Sequence, residues 1–471
     1  MDSPQIISVL PGIAALAGMV ARMGGATALR LVTASVWSVF GLFAAVAALA
    51  AAGQIEAGSL ALALGLLTAF VGGIVLSFSR RHMKADPRLA IYAQRIGLLI
   101  TAVLVSVTAH DLISFAVAWI ASGWLLARLI GHVPGWVEAE AAETRARRAF
   151  LIGDTALVAA LGLLAYEAGA LSIDAALAAA KSLPVAAQVA TGLLLLVAAI
   201  ARSAVPPFHK WLMGSMTAPT PVSALMHAGL VNAGGFLLIR FGELISAAPG
   251  VSLAAVAIGA VGALFGTGVM IVRPDVKRAL GGSTVAQMSF MIMTCGLGAY
   301  AAALWHLIAH GLFKAWSFLG AGGTIGRAKP STLTRPGAAD AVMVTAAAGA
   351  LVAVLAGRGV IGADALPLPI VFAAVTGLAS LAGLTRASTK GAAPAAVIAV
   401  STGFALAYVG GVTLIESLPG LPAASAPLST PAQLALLAPF VAAWIWQLAR
   451  RPLPAALYIR MLNTGGPALI R

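Results

Sequence analysis

The chain has 471 residues, of which 61% are hydrophobic and only 9% charged, and its mean hydropathy is +0.99. A soluble core needs a polar shell that this composition does not supply. The formal net charge of +14 invites a nucleic-acid reading, yet the cations lie between apolar runs and not along an amphipathic face, which is the distribution of topology-setting loop charge. The single cysteine, Cys295, excludes an intrachain disulfide and a cysteine-built metal or iron–sulfur site.

The opening MDSPQ has no basic stretch, so a first helix that acts as its own insertion signal is expected in place of a cleaved leader. A helix needs about 20 mostly apolar residues to cross the hydrocarbon core. On that measure 15 spans are predicted: 5–21, 28–52, 57–79, 90–108, 110–130, 149–169, 186–204, 221–246, 251–272, 279–299, 301–325, 338–358, 367–385, 392–416 and 431–449. The expected fold class is an all-α polytopic membrane protein whose loops are too short for a soluble domain. Segment 131–148, with Glu138, Glu140 and Glu143 ahead of its arginines, reads as a surface segment, and 170–183 as a short interfacial helix. The tail 450–471 is too polar and too short to span.

Loops after odd-numbered spans carry most of the cations: Arg22 and Arg30; Arg80, Arg81, Lys84 and Arg88; Arg145, Arg147 and Arg148; Lys210; Arg273, Lys277 and Arg278; Arg327, Lys329 and Arg335; Arg386 and Lys390. Loops after even-numbered spans hold little beyond Lys181 and Arg358. The asymmetry predicts an outside N-terminus and a cytoplasmic C-terminus in a bacterial inner membrane.

The stretch 201–235, ARSAVPPFHKWLMGSMTAPTPVSALMHAGLVNAGG, carries the most information. Arg202 ends an apolar run, Pro206 and Pro207 break the helix, and a segment with Pro219 and Pro221 leads to His227 in the next run. Proline removes a backbone donor and clashes with the preceding turn. In a bilayer such a break survives only where protein or a wet cavity surrounds it. A cation at a broken helix, with a histidine one helix away, is what an ion pathway needs.

This stretch resembles the antiporter-like proton-translocating subunits shared by respiratory complex I, multisubunit cation/proton antiporters and membrane hydrogenases. The likeness runs through Arg202-Ser203-Ala204, Pro207, Trp211, Pro219-Thr220-Pro221-Val222-Ser223-Ala224-Leu225 and His227-Ala228, and extends over roughly residues 90 to 330. It implies two inverted five-helix repeats, each with a broken helix. The corresponding division is N-terminal spans over 1–89, a first repeat over 90–250, a second over 251–390, and C-terminal spans and tail over 391–471. The second break is expected near Ala356-Gly357-Arg358-Gly359, where glycines replace prolines.

Two further segments match. In VRPDVKRALGGSTVAQMSFM (272–291), Asp275, Lys277 and Arg278 form a turn ahead of Ser283, Thr284 and Gln287. One reading is a cap anchoring a helix end; the other gives Ser283, Thr284 and Gln287 a place on a water path, since each can donate and accept. In ALWHLIAHGLFKAWSFLGAGG (303–323), His306, His310 and Lys314 stack on one helix face at a spacing of four. A His pair at that spacing is short of the ligands a zinc site needs, and Lys314 repels a metal. The remaining readings are two core histidines beside a snorkelling lysine, or a proton relay. Three ionisable groups on a buried face are costly without a use, which favours the relay. The resemblance implies that these positions link a central lysine to the following half-channel.

The chain departs from the family at three places. Arg202 stands where the family has a lysine, and arginine stays protonated where lysine can release its proton. The family's Trp-Glu pair is here Trp119-Ile120, leaving Asp154 or Asp111 as the counter-charge for Arg202; Asp154 is chosen, with a plain helix-end role as an equal alternative. His209 and Lys210 read as loop charge. Arg358 is the only cation near the expected second break, and the chain ends without the long lateral helix that braces complex I subunits.

With HAGLVNAGGFLLIRF (227–241), these departures look most like the membrane subunit of DAB-type inorganic-carbon accumulation systems. That resemblance implies inward cation flux, carried by protons, energising a large soluble zinc-containing carbonic-anhydrase-like partner. This chain then needs no cofactor and no catalysis of its own, and zinc belongs to the partner. The rivals are a redox-linked pump subunit of complex I or a hydrogenase, a sodium/proton antiporter subunit, and a non-conducting scaffold locked by Arg202.

Overall fold

The computed structural model describes residues 7–20, 24–321, 403, 407–408, 410–422, 427–448 and 453–464. Its long elements are α-helices: α1 Leu10–Val20, α2 Gly25–Ala51, α3 Ser59–His82, α4 Leu89–Thr108, α5 Leu112–Ile130, α6 Val137–Ala168, α7 Val185–Arg202, α8 Thr220–Ala228, α9 Ala233–Arg240, α10 Pro249–Val272, α11 Val276–Gly296, α12 Tyr300–Gly320, α13 Thr430–Leu448 and α14 Ala455–Asn463. Eight stretches among the described residues are long and apolar enough to cross a membrane, counting Thr220–Arg240 as one. The chain is an all-helical integral membrane protein. Arg358, the expected second break and the spans predicted at 338–358 and 367–385 lie outside the described residues, as does most of 392–416.

α11 and α12, each 21 residues long, are not among those eight. Ser283, Thr284 and Gln287 dilute the first, and His306, His310 and Lys314 the second, so the helices that carry the polar row are the ones hydropathy passes over. They are nevertheless packed into the core: Thr284 and Lys314 are fully buried.

Two predicted boundaries are corrected. α6 begins at Val137, so most of the expected surface segment 131–148 is its first turns. Glu138 and Glu140 lie in the first turn, where they complement the positive end of the helix dipole. The span predicted as continuous over 221–246 is broken. α8 ends at Gly229 (φ −123°, ψ −63°), a short 3₁₀ turn covers Leu230–Asn232, and α9 resumes at Ala233. Asn232 Nδ2 donates to the freed carbonyl of Ala228 at 2.7 Å, so a side chain takes over where the ladder stops. The helix expected within 170–183 is present as Ile173–Ala178, followed by a 3₁₀ turn.

The chain end of α7 explains how the first break is built. Ala204 takes φ 54°, Val205 N–H donates to Ile200 O at 3.0 Å, and Ala204 N–H to Ala201 O at 3.5 Å. This is a Schellman closure with alanine in the position usually given to glycine. Pro206 and Pro207 follow and stop the helix from resuming until Lys210–Met213.

The ends of α3 to α6 alternate. At one end His132, after α5, meets Asp86, after α3, at 3.0 Å, and Arg88 Nη1 donates to His132 O at 2.7 Å. At the other, Asp111 and Ser172 form an antiparallel bridge, and Arg240 reaches Asp174 at 3.8 Å and the carbonyl of Ala109 at 3.2 Å. The segments after α3 and α5 therefore lie at the opposite end from those after α4 and α6.

Candidate functional site

Two buried ionisable clusters face each other across the broken element α8–α9. The first is built around Arg202, which is 2% exposed. α6 presents Phe150 and Asp154 one turn apart, and α5 presents Trp119, Ser122 and Gly123 on one face. Arg202 Nη2 donates to Asp154 Oδ1 at 2.8 Å and to Trp119 O at 3.0 Å, while Nη1 donates to Ser122 Oγ at 3.3 Å. The guanidinium carbon lies 4.7 Å from the Trp119 ring and 4.8 Å from the Phe150 ring. Gly123 makes room for it: a Cβ there would stand 2.5 Å from Nη1. Asp154 is thus the counter-charge, while Asp111 caps α5 by accepting from Ser114 N–H at 2.8 Å and takes no part.

The chemistry of this cluster is that of a fixed charge. A guanidinium held by a carboxylate, two oxygens and two aromatic faces keeps its proton. It can orient water and set a local potential, but it does not carry a proton through a cycle.

The second cluster is different in kind. On α12, His306, His310, Lys314 and Phe318 form a row of i, i+4 neighbours. The His306 and His310 rings are 5.7 Å apart and nearly parallel. Lys314, fully buried, donates from Nζ to Ser283 Oγ at 3.0 Å and to Leu280 O at 3.2 Å, both on α11. Thr284, the next residue of α11, donates to the same Leu280 carbonyl at 2.9 Å. Its oxygen is left to accept from His227 Nδ1–H at 3.0 Å. That bond makes His227 Nε2 a bare acceptor, and Phe318 stacks on the ring at 4.1 Å. Gly311 lets α12 lie against the end of α8: a Cβ there would stand 2.7 Å from Ala228 O.

No carboxylate of the described residues forms an ion pair with Lys314. Only neutral oxygens hold its ammonium, and a lysine so placed can give up its proton where Arg202 cannot. Among the described residues, His227, His306 and His310 each leave Nε2 buried without a partner. Buried polar atoms of that kind are water sites in native proteins. Gln287, half-buried one turn beyond Ser283, extends the polar face of α11. Asp275 caps α11 by accepting from Arg278 N–H at 2.8 Å, so the anchoring reading holds for the turn, while Ser283 and Thr284 reach the cluster. Among the described residues no group of three or more His, Cys, Asp or Glu is placed to hold a metal ion.

A cavity of about 60 Å³, walled largely by apolar side chains of α3, α4 and α9, lies against the helix break. Trp119 and Ser122 wall it on the Arg202 side, Ala228, Gly229 and Asn232 form the helix break, and Leu307 of α12 lines the far side. Asn232 Oδ1 is buried with no partner among the described residues. The break at Gly229 therefore lies between the fixed charge and the titratable row, a placement the prolines of 206–221 did not foretell. Arg240 and Arg95, inside predicted spans, were also missed; Arg95 donates to Arg128 O at 3.1 Å. Pro219 and Pro221 begin α8, where proline's fixed φ is tolerated.

Known proteins with related sequences point the same way. A curated relative, the probable inorganic carbon transporter subunit DabB1 of Halothiobacillus neapolitanus, is 38% identical over 56% of this chain and 49% of its own length. NADH-quinone oxidoreductase subunit L of Mycobacterium tuberculosis is 38% identical over 55% of this chain and 42% of its own. The probable inorganic carbon transporter subunit DabB of Bacillus subtilis is 37% identical over 59% and 55%. The chain thus spans about half the length of the curated relatives it matches. In structure it is similar to a chain of the Mrp complex from Dietzia sp. DQ12-45-1b, with TM-score 0.63 and 23% identity over 99% of this chain and 53% of that one. It is also similar to a chain of an archaeal membrane-bound sulfane sulfur reductase, with TM-score 0.60 and 17% identity over 92% and 74%. These two share its fold. The profile of the NADH:quinone oxidoreductase/Mrp antiporter transmembrane family matches residues 109–390, more than half of the sequence and both buried clusters, and the chain belongs to that family.

Proposed function

We propose that this chain is the cation-conducting membrane subunit of a two-component inorganic-carbon accumulation system, with the proton as the carried ion. The observation that carries conduction is Lys314: fully buried, held by Ser283 and Leu280 O, and in line with His310 and His306. The relatives named as inorganic carbon transporter subunits supply the carbon side of the reading. The path runs over His306, His310, Lys314, Ser283, Thr284 and His227, with Gln287 on its margin, and Arg202–Asp154 sets a fixed field beside it. Fifteen spans in two inverted repeats, an outside N-terminus and a bacterial inner membrane complete the reading. Arg358 remains the candidate for the second break.

The partner is a large soluble zinc-containing carbonic-anhydrase-like subunit that hydrates carbon dioxide, with inward flux as the driving force. One charge moved across 100 mV is worth about 2.3 kcal/mol, and a hundredfold accumulation costs about 2.7 kcal/mol. One or two protons per carbon suffice.

A second reading, a sodium/proton antiporter or respiratory pump subunit, is favoured by the equal identity to the oxidoreductase subunit. A host lacking carbonic anhydrase, expressing this chain with its neighbouring gene product, separates the two. Growth in ambient air with wild type, lost with Lys314→Ala at equal membrane levels, supports the carbon reading. Failure of an assembled wild-type complex to rescue growth contradicts it, and a gain in sodium tolerance then favours the second.

A further inference from the structure

Among the described residues, the buried polar atoms without partners include two groups. One is the row of His227, His306 and His310. The other is the segment after Arg202, where both ring nitrogens of His209 and Oγ1 of Thr217 are unpartnered. His209 is 8% exposed, yet its neighbours Pro207 and Lys210 are exposed, so the ring lies just beneath a surface. Its edge meets Phe265 of α10 at 4.9 Å.

The segment is pinned to the Arg202 cluster. Trp211 Nε1 donates to Ala201 O at 3.0 Å, and the Trp211 ring lies 4.8 Å from Phe150, the residue whose other face meets Arg202. Met213 N–H donates back to His209 O at 3.1 Å, closing the turn that carries both. Lys210 is the charged group beside the ring, and the Arg145 guanidinium of α6 lies against Gly214, further along the segment. A neutral imidazole always presents one N–H donor and one bare nitrogen. Leaving both dry is unfavourable for each, and native interiors fill such sites with ordered water.

We propose that His209 is a hydrated relay group, whose two ring nitrogens bind water and pass protons between the exposed surface at Pro207 and Lys210 and the buried end of α7 at Arg202. In the step, a water-borne proton is taken on the bare nitrogen while the proton on the other nitrogen leaves to a second water, so the ring's charge is restored. This deepens the proposed function and rests on the chain conducting protons. A purely structural His209 would act as an aromatic spacer against Phe265.

The test uses the assembled complex in proteoliposomes under a potassium-diffusion potential, with internal pH followed by a trapped dye. His209→Phe keeps the ring against Phe265 and removes both nitrogens. A drop in proton flux of about tenfold or more, with unchanged thermal stability, is expected. X-ray radiolytic footprinting of the wild type, which labels residues beside bound water, is expected to mark His209 despite its burial. A conducting wild type whose His209→Phe variant conducts equally overturns this inference alone, as does an unlabelled His209. A wild type that carries no protons overturns the proposed function and the relay with it.

Discussion

Asp154→Asn is the sharpest perturbation of the Arg202 cluster, because it removes a charge and almost nothing else. Asparagine retains an oxygen that can accept from Nη2, now 2.8 Å from Asp154 Oδ1, and the bonds to Trp119 O and Ser122 Oγ remain. What is lost is the Coulomb term. Two unit charges about 4 Å apart at an effective dielectric of about 20 interact by about 4 kcal/mol. Breaking a buried pair from one side costs about 3–5 kcal/mol, since the other charge stays uncompensated. Asp154 is the more accessible partner, with a side chain 14% exposed, so the lower end, about 3 kcal/mol, is expected. Detergent-titration unfolding of the reconstituted protein measures it. Arg202→Met together with Asp154→Asn should recover most of the loss, because no orphan charge remains. An Asp154→Asn variant within about 0.5 kcal/mol of wild type would refute the assignment of Asp154 as counter-charge.

Other residues give independent tests. Gly123→Ala places a methyl 2.5 Å from Arg202 Nη1; overpacking of about 1–3 kcal/mol is expected in the same unfolding assay, and a neutral result would mean that the guanidinium has room to move. Ser283→Ala removes one of the two acceptors of Lys314. A hydrogen bond to a charged group is worth about 1.5–3 kcal/mol, so proton flux should fall about tenfold with assembly intact, and wild-type flux would exclude Ser283 from the path. His132, in the turn after α5, donates from Nε2 to Asp86 at 3.0 Å. Burial holds its pKa below the ordinary histidine value despite the opposing pull of Asp86, with Arg88 and Arg95 adding to the lowering. Its contribution to stability is therefore present above about pH 6.5 and lost as pH falls through the folded value. His132→Gln should flatten the loss of thermal stability as pH falls below about 6.5, and an unchanged slope would contradict the sign.

Much of the site could be read before any coordinates, and what escaped did so for physical reasons. Arg202, His227 and the His306–His310–Lys314 row were visible because ionisable side chains inside apolar runs are rare enough to stand out. Asp154 could be named because few acids were in reach. The roles of Trp119 O and Leu280 O could not, since a backbone acceptor leaves no mark in the sequence. Gly123 and Gly311 act by lacking a side chain, and only a neighbour's position reveals that. The break at Gly229 was hidden because no proline marks it; Gly229 with Asn232 three residues on was the available signal. In the sequence His209 reads as loop charge together with Lys210 at the broken helix, and only the structure separates them: Lys210 is exposed while His209 is buried.

Together the two clusters describe a division of labour: a fixed cation at Arg202 beside a row that can exchange protons at Lys314. The most direct test compares wild type with Lys314→Arg in proteoliposomes, reading proton flux under an imposed membrane potential. Arginine keeps the charge and the donors toward Ser283 and Leu280 O but does not release its proton. Flux at the background of empty vesicles in Lys314→Arg, with normal assembly, is the predicted result. Wild-type flux in that variant would mean that Lys314 contributes charge alone, and the relay would have to be sought elsewhere.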